Sequence, residues 1–80
     1  MTDETKSIEL CQDILGTRLA QMIAERDHVT YTEAIRRLLA SDTYGLLLEP
    51  GSYLHLESAE YILDMYDAEL RGDWERWLEV

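Results

Sequence analysis

Glu57, Glu60, Asp64 and Asp67 step by three, four and three residues, which places most of them on one face of a helix. A carboxylate row of this kind supports three kinds of chemistry. It can hold a divalent metal, as paired carboxylates do in helical bundles, where such sites also recruit His and further Glu from facing helices. It can meet an Arg/Lys-rich protein surface, or it can be a solvated face that keeps a small domain soluble. Glu69, Asp73, Glu75 and Glu79 continue the acidity toward the C-terminus. The other groups able to do chemistry are scattered. His28 and His55 have no carboxylate or thiol at ligand spacing, so no metal site is expected. The single cysteine, Cys11, falls on the apolar side of its helix, where a small buried hydrophobe is the expected role. Gly16, Gly45, Gly51 and Gly72 are too dispersed for a phosphate-cradling loop, and no flanking motif marks a serine or cysteine nucleophile. Neither a cofactor nor an enzymatic activity is expected.

The elements that would position these groups are mostly helical. Ile8, Cys11, Ile14, Leu15, Leu19, Met22 and Ile23 recur at helical steps and predict an amphipathic helix from near Lys6 to Arg26. Gly16 interrupts it and implies either a break or a close packing contact. Thr30 and Glu33 form a capping box for a second helix over Tyr31 to Ala40, with Ala34, Ile35, Leu38 and Leu39 on its apolar stripe. Ser41 and Asp42 are expected to cap one further short turn through Tyr44, ended or loosened by Gly45. The stretch from Leu46 to Leu56 is the one with β character. Pro50-Gly51 suits the centre of a type II turn and Leu54 and Leu56 alternate with polar neighbours, so a short β-hairpin or an irregular loop is expected there. Ser58 caps a third helix carrying Ala59, Ile62, Leu63, Tyr66 and Leu70 on one side, with Gly72 as its stop.

The fold class that follows is mainly α. A small domain of three to four helices with a short hairpin around Pro50-Gly51 is expected to span residues 1–80. Residues 1–6 are expected to be disordered and residues 73–80 to form a Trp-bearing tail. The expected core is Ile14, Leu15, Leu19, Met22, Ile35, Leu38, Leu39, Leu54, Ile62 and Tyr66. In the tail, Trp74, Trp77 and Leu78 fall at i, i+3 and i+4. They either dock on the domain's own core or anchor a partner or a second copy.

Charge narrows the classes of partner. The chain of 80 residues has 17 Asp and Glu against 7 Lys and Arg, a net charge of −10. Residues 1–40 contribute −2 and residues 41–80 contribute −8, so the excess lies where the third helix and the tail lie. This opposes a nucleic-acid or anionic-membrane surface and suits a basic protein partner. No apolar run exceeds five residues, so no membrane span is expected. The N-terminus is acidic and polar, unlike a secretory signal, and a lone thiol fits a reducing cytoplasm. A chain this short buries only about 60% of its unfolded surface, which makes a homo-oligomer an expected alternative to a monomer.

Two resemblances add to this picture. The segment from Leu19 to Arg26, a turn, and the segment from Thr30 to Leu39 together look like the helix pair of ribbon-helix-helix repressors, which dimerise through a preceding strand that reads DNA. Here the preceding segment reads as helix and carries only Lys6 and Arg18 as bases. Over about residues 19–70 the chain also resembles a family of small bacterial helical proteins of unknown function. The matching features are the helix after Thr30, Ser41-Asp42-Thr43-Tyr44 with Leu47, the turn, and Leu54 and Leu56 before Ser58 and Tyr61. That resemblance implies a compact helical fold and involvement in gene pairs of the toxin–antitoxin kind.

The function expected from these features is a non-enzymatic protein-interaction module, an acidic regulatory or antitoxin-like partner of a basic protein. Its candidate contact residues are Glu57, Glu60, Asp64, Asp67, Trp74, Trp77 and Leu78. The alternative is a ribbon-helix-helix-like DNA-binding regulator, which a helix at residues 7–15 excludes. An enzyme built on the carboxylate row is the third class, and it requires tight divalent-metal binding.

Overall fold

A computed structural model describes residues 2–73 of the chain. The described residues form four α-helices, α1 (Thr2–Asp27), α2 (Tyr31–Leu39), α3 (Asp42–Leu47) and α4 (Ala59–Arg71), and contain no strand. Two 3₁₀ turns, Pro50–Ser52 and Leu54–Leu56, join α3 to α4.

Helix boundaries follow local chemistry closely. The side chains of Thr30, Ser41 and Ser58 accept from the backbone N–H of Glu33, Tyr44 and Tyr61, each satisfying an N-terminal donor of the helix that follows. α1 ends with His28 in the left-handed region (φ 56) and the Val29 N–H reaching back to the Ala24 carbonyl at 3.2 Å. α4 ends the same way, with Gly72 at φ 80 and the Asp73 N–H on the Ala68 carbonyl at 2.8 Å. Both are Schellman closures, and Gly72 stops α4 where the sequence placed the stop.

α1 is longer than its apolar stripe. It starts at Thr2, so residues 2–6 continue the helix instead of lying outside it. At about 1.5 Å per residue its 26 residues match the 40 Å long dimension of the molecule. Ion pairs Arg18–Glu60 at 3.9 Å and Arg26–Asp67 at 2.7 Å advance in the same sense along both helices, so α4 lies parallel to the C-terminal half of α1. The core forms between these elements from Leu19, Ala20, Ile23, Ala34, Leu38, Leu47, Leu54, Ala59, Ile62, Met65 and Tyr66. Leu15, Met22 and Ile35 pack against it half-buried.

Three sequence expectations are corrected. Ile14 and Leu39, placed in the core by their spacing, are 58% and 59% exposed. Each stands at the edge of a stripe whose centre is already filled by Leu19 and Ile23, or by Ala34 and Leu38. Gly45 does not end the short helix, which runs on to Leu47. The expected β-hairpin is absent from the described residues. Pro50 instead occupies the first position of a 3₁₀ turn, Gly51 does not take the positive φ a type II turn demands, and positive φ falls on Tyr53 (φ 59). Leu46 and Leu47, which the hairpin would have used, belong to α3.

Long-range contacts explain why a six-residue helix persists where propensity favours a loop. At its start, the Glu69 carboxylate of α4 accepts the backbone N–H groups of Asp42 and Thr43, both at 2.9 Å, and the Thr43 hydroxyl at 2.7 Å. At its end, buried Gln12 of α1 donates its side-chain N–H to the Leu47 carbonyl at 3.1 Å. The Ser52 hydroxyl donates to the Leu46 carbonyl at 2.6 Å and accepts from the Leu54 N–H at 3.2 Å. The terminal groups of α3 that its own length cannot satisfy are thus met from α1, α4 and the turn.

The two helical glycines differ in what surrounds them. A Cβ at Gly45 meets nothing within 4 Å, whereas one at Gly16 sits 3.4 Å from the Tyr44 ring, which is ordinary contact. α1 is unbroken at Gly16, so the glycine marks a packing contact and not an interruption. Gly45→Ala is expected to stabilise the fold by about 1 kcal/mol in urea denaturation, the full helix-propensity gain. Gly16→Ala is expected to gain no more than that, since the Tyr44 ring must accept the new methyl.

Candidate interaction surface

The carboxylate row is only partly what its spacing suggested. Glu60, Asp64 and Asp67 do share a side of α4, with Glu57 just ahead of the helix. Asp67, however, is held by one Arg26 nitrogen at 2.7 Å to each of its oxygens, and Glu60 lies 3.9 Å from Arg18. These two acids tie α4 to α1. Glu57 and Asp64 are exposed and have no ion-pair partner among the described residues. Trp74, Trp77 and Leu78, with Glu75 and Glu79, lie outside the described residues. Among the described residues no group of three or more His, Cys, Asp and Glu side chains is placed to hold a metal ion. Nor is any helix there long and apolar enough to cross a membrane. Residues 7–15 belong to α1, so the strand that pairs two ribbon-helix-helix chains is absent there.

Pairing is systematic. Every arginine among the described residues lies within 4 Å of a carboxylate of its own chain: Arg18 by Glu60, Arg26 by Asp27 and Asp67, Arg36 and Arg37 by Glu33, and Arg71 by Asp73. Hydrogen bonds donated to Asp27, then to Asp67, raise the Arg26 guanidinium even further above its ordinary range. Arg26 in turn holds the Asp27 carboxyl below the usual carboxylate range, and Arg37 and then Arg36 do the same to Glu33. The carboxylates without a basic partner among the described residues include Glu9, Asp13, Glu25, Glu49, Glu57 and Asp64. Among the described residues the acidic excess therefore appears at the surface as isolated acids, with the described arginines already occupied.

The Arg26–Asp67 contact is a partly exposed ion pair, and such pairs contribute little. Asp67→Asn is expected to lower stability by no more than about 1 kcal/mol, with the difference shrinking in high salt. Chemical denaturation at low and high salt measures both.

Cavities lined by the described residues accompany this charge distribution. One, of about 390 Å³, is lined by Asp27, Arg37, Ala40, Ser41, Tyr66, Glu69 and Leu70. Its charged groups are already engaged, Arg37 lying 3.5 Å from Asp27 and Glu69 accepting from Asp42 and Thr43, and burial pushes the Tyr66 phenol up. Another, of about 620 Å³, is a groove between the N-terminal half of α1 and the two 3₁₀ turns. Ile8 and Cys11 face Tyr53, His55 and Leu56 across it, with Ser7, Pro50 and Gly51 completing the lining. Cys11 is half-buried in this wall, not sealed in the core. The Nδ1 atom of His55 is buried without a hydrogen-bond partner among the described residues.

None of the groove residues stood out as a site in the sequence. Their apolar members carried a helical stripe or a strand-like alternation, and only the 3₁₀ path of the turn brings them onto α1. Gln12, Thr43, Ser52 and Glu69, which build α3 into that position, were equally silent. A glutamine one residue after Cys11 in the apolar stripe is the one trace of a buried polar contact. The chain matches no known family profile, no characterised protein and no solved structure.

Proposed function

We propose that this chain is a non-enzymatic protein-interaction module, an acidic regulatory or antitoxin-like partner of a basic protein. The observation that supports this is the charge pattern: every described arginine is paired within the chain, while exposed acids such as Glu49, Glu57 and Asp64 are not. Such a surface attracts Lys/Arg-rich proteins and repels phosphate backbones and anionic lipid. The single thiol suits a reducing cytoplasm as its compartment.

Affinity capture with the tagged full chain, followed by mass spectrometry and a salt elution series, tests this function. The expected result is a stoichiometric basic protein released as salt approaches about 1 M, where the screening length falls to about 3 Å. Recovery of no stoichiometric partner, or of one whose binding ignores salt, overturns the proposal.

A further inference from the structure

We infer that the groove between α1 and the two 3₁₀ turns is the docking site for a basic amphipathic segment of a partner protein. The inference rests on the interaction-module function proposed above and assigns it a place. The groove's lining is largely apolar, with Ile8, Cys11, Pro50 and Leu56 among its residues, and its volume of about 620 Å³ accommodates several apolar side chains. Its outer walls are themselves open. Tyr53 is 65% exposed and Leu56 is 71% exposed. A pocket built for a small molecule encloses most of its ligand's surface, and walls this open enclose too little. They suit a segment that seats a few side chains and continues over the rim.

Charge complementarity selects the occupant. Glu49 directly precedes Pro50 and Glu57 directly follows Leu56, so an exposed carboxylate without an ion-pair partner among the described residues flanks each end of the turn wall. Lys6 stands about 160° around α1 from Ile8, on the far side of the helix. The arginines among the described residues are engaged with carboxylates of their own chain. A second copy of this chain brings a net charge of −10 to a groove whose turn wall adjoins Glu49 and Glu57, and is opposed by them. A segment with apolar residues on one side and Lys or Arg on the other satisfies both the apolar lining and the carboxylates beside it.

Cys11 provides the readout, because it is the only cysteine in the chain and lies in the groove wall. The probe is a fluorescein-labelled helical peptide of leucine and lysine with all its leucines on one face, and its lysine-to-glutamate counterpart is the control. Binding is followed by fluorescence polarisation and groove occupancy by the rate at which Cys11 is alkylated. The lysine peptide is expected to bind and to slow Cys11 alkylation, and the glutamate peptide to do neither. Leu56→Asp and Glu57→Lys are each expected to weaken binding about tenfold or more. Both positions are exposed, and circular dichroism confirms that the variants fold.

Binding that leaves Cys11 unprotected and ignores both variants overturns the groove assignment while leaving the interaction-module function standing. Equal binding of both peptides, or displacement of the lysine peptide by a small apolar dye that alone protects Cys11, overturns the occupant. Cys11 protection that grows with protein concentration in the absence of peptide identifies a second copy in the groove and also overturns it. Absence of any binding overturns the inference, and a salt-sensitive basic partner in the capture experiment shows whether the function survives without it.

Discussion

Leu47→Ala is expected to destabilise the fold by about 3 kcal/mol, within the range for fully buried leucines. Leu47 has no exposed surface and sits where α3 meets the rest of the core. Its backbone carbonyl also receives the Gln12 side chain at 3.1 Å, so the cavity opens beside a buried polar contact that cannot collapse freely. An 80-residue domain typically has a stability of roughly 4–12 kcal/mol, so this loss is a large share of the total. It corresponds to a fall in Tm of roughly 12–24 °C. Leu48, the next residue, is 46% exposed, and Leu48→Ala is expected to be at least threefold milder. Thermal and urea denaturation of the pair provide the check. Equal effects at the two positions are incompatible with the packing described.

Glu69→Ala is expected to cost about 2 kcal/mol at neutral pH, because it strands two backbone N–H groups and a buried hydroxyl at the start of α3. Glu69→Gln keeps an acceptor oxygen but loses the charge, and its expected cost is about half as large. Burial pushes the Glu69 carboxyl up, but the Thr43 hydroxyl and the N–H groups of Asp42 and Thr43 together bring it below its ordinary value of 4.5. The sign of the pH dependence follows. A carboxyl that is more acidic folded than unfolded contributes fully above the unfolded value and loses that contribution as pH falls through the folded one. Asp27 and Glu33, also lowered, add in the same direction. The difference between parent and Glu69→Gln is therefore expected to be largest above pH 4.5 and to shrink below it. A difference that stays constant from neutral pH into acid assigns the loss to packing and not to the carboxylate.

These two residues also show why part of the fold was illegible in the sequence. Leu46, Leu47 and Leu48 are chemically identical neighbours, and only Leu47 is fully buried. Nothing local distinguishes them, because the choice is made by Gln12 and by the path of the turn after Leu48. Glu69 looked like one more acid in an acidic helix, yet its partners lie 26 and 27 residues away. Asp67, assigned to the same acidic face, turned out to be engaged by Arg26 from 41 residues away. Carboxylates at helical spacing identify a face, and only the packing of α1 against α4 decides which of them that face keeps.

What the sequence determined by itself is what acts over three or four residues. Thr30, Ser41 and Ser58 cap their helices through bonds to the third residue on, and Gly72 ends α4 because glycine takes positive φ without strain. The helical class and the location of the charge in residues 41–80 belong here as well, since both are sums over local composition. Tertiary structure decided the rest. It drew Leu46 and Leu47 into α3 instead of a hairpin, left Ile14 and Leu39 in solvent, and placed Tyr53 and Leu56 beside Ile8 and Cys11. Each of those outcomes depends on bonds or contacts between residues far apart in the chain. A short helix or a turn is only marginally stable alone, so the conformation of residues 42–56 follows the surface that α1 and α4 offer it.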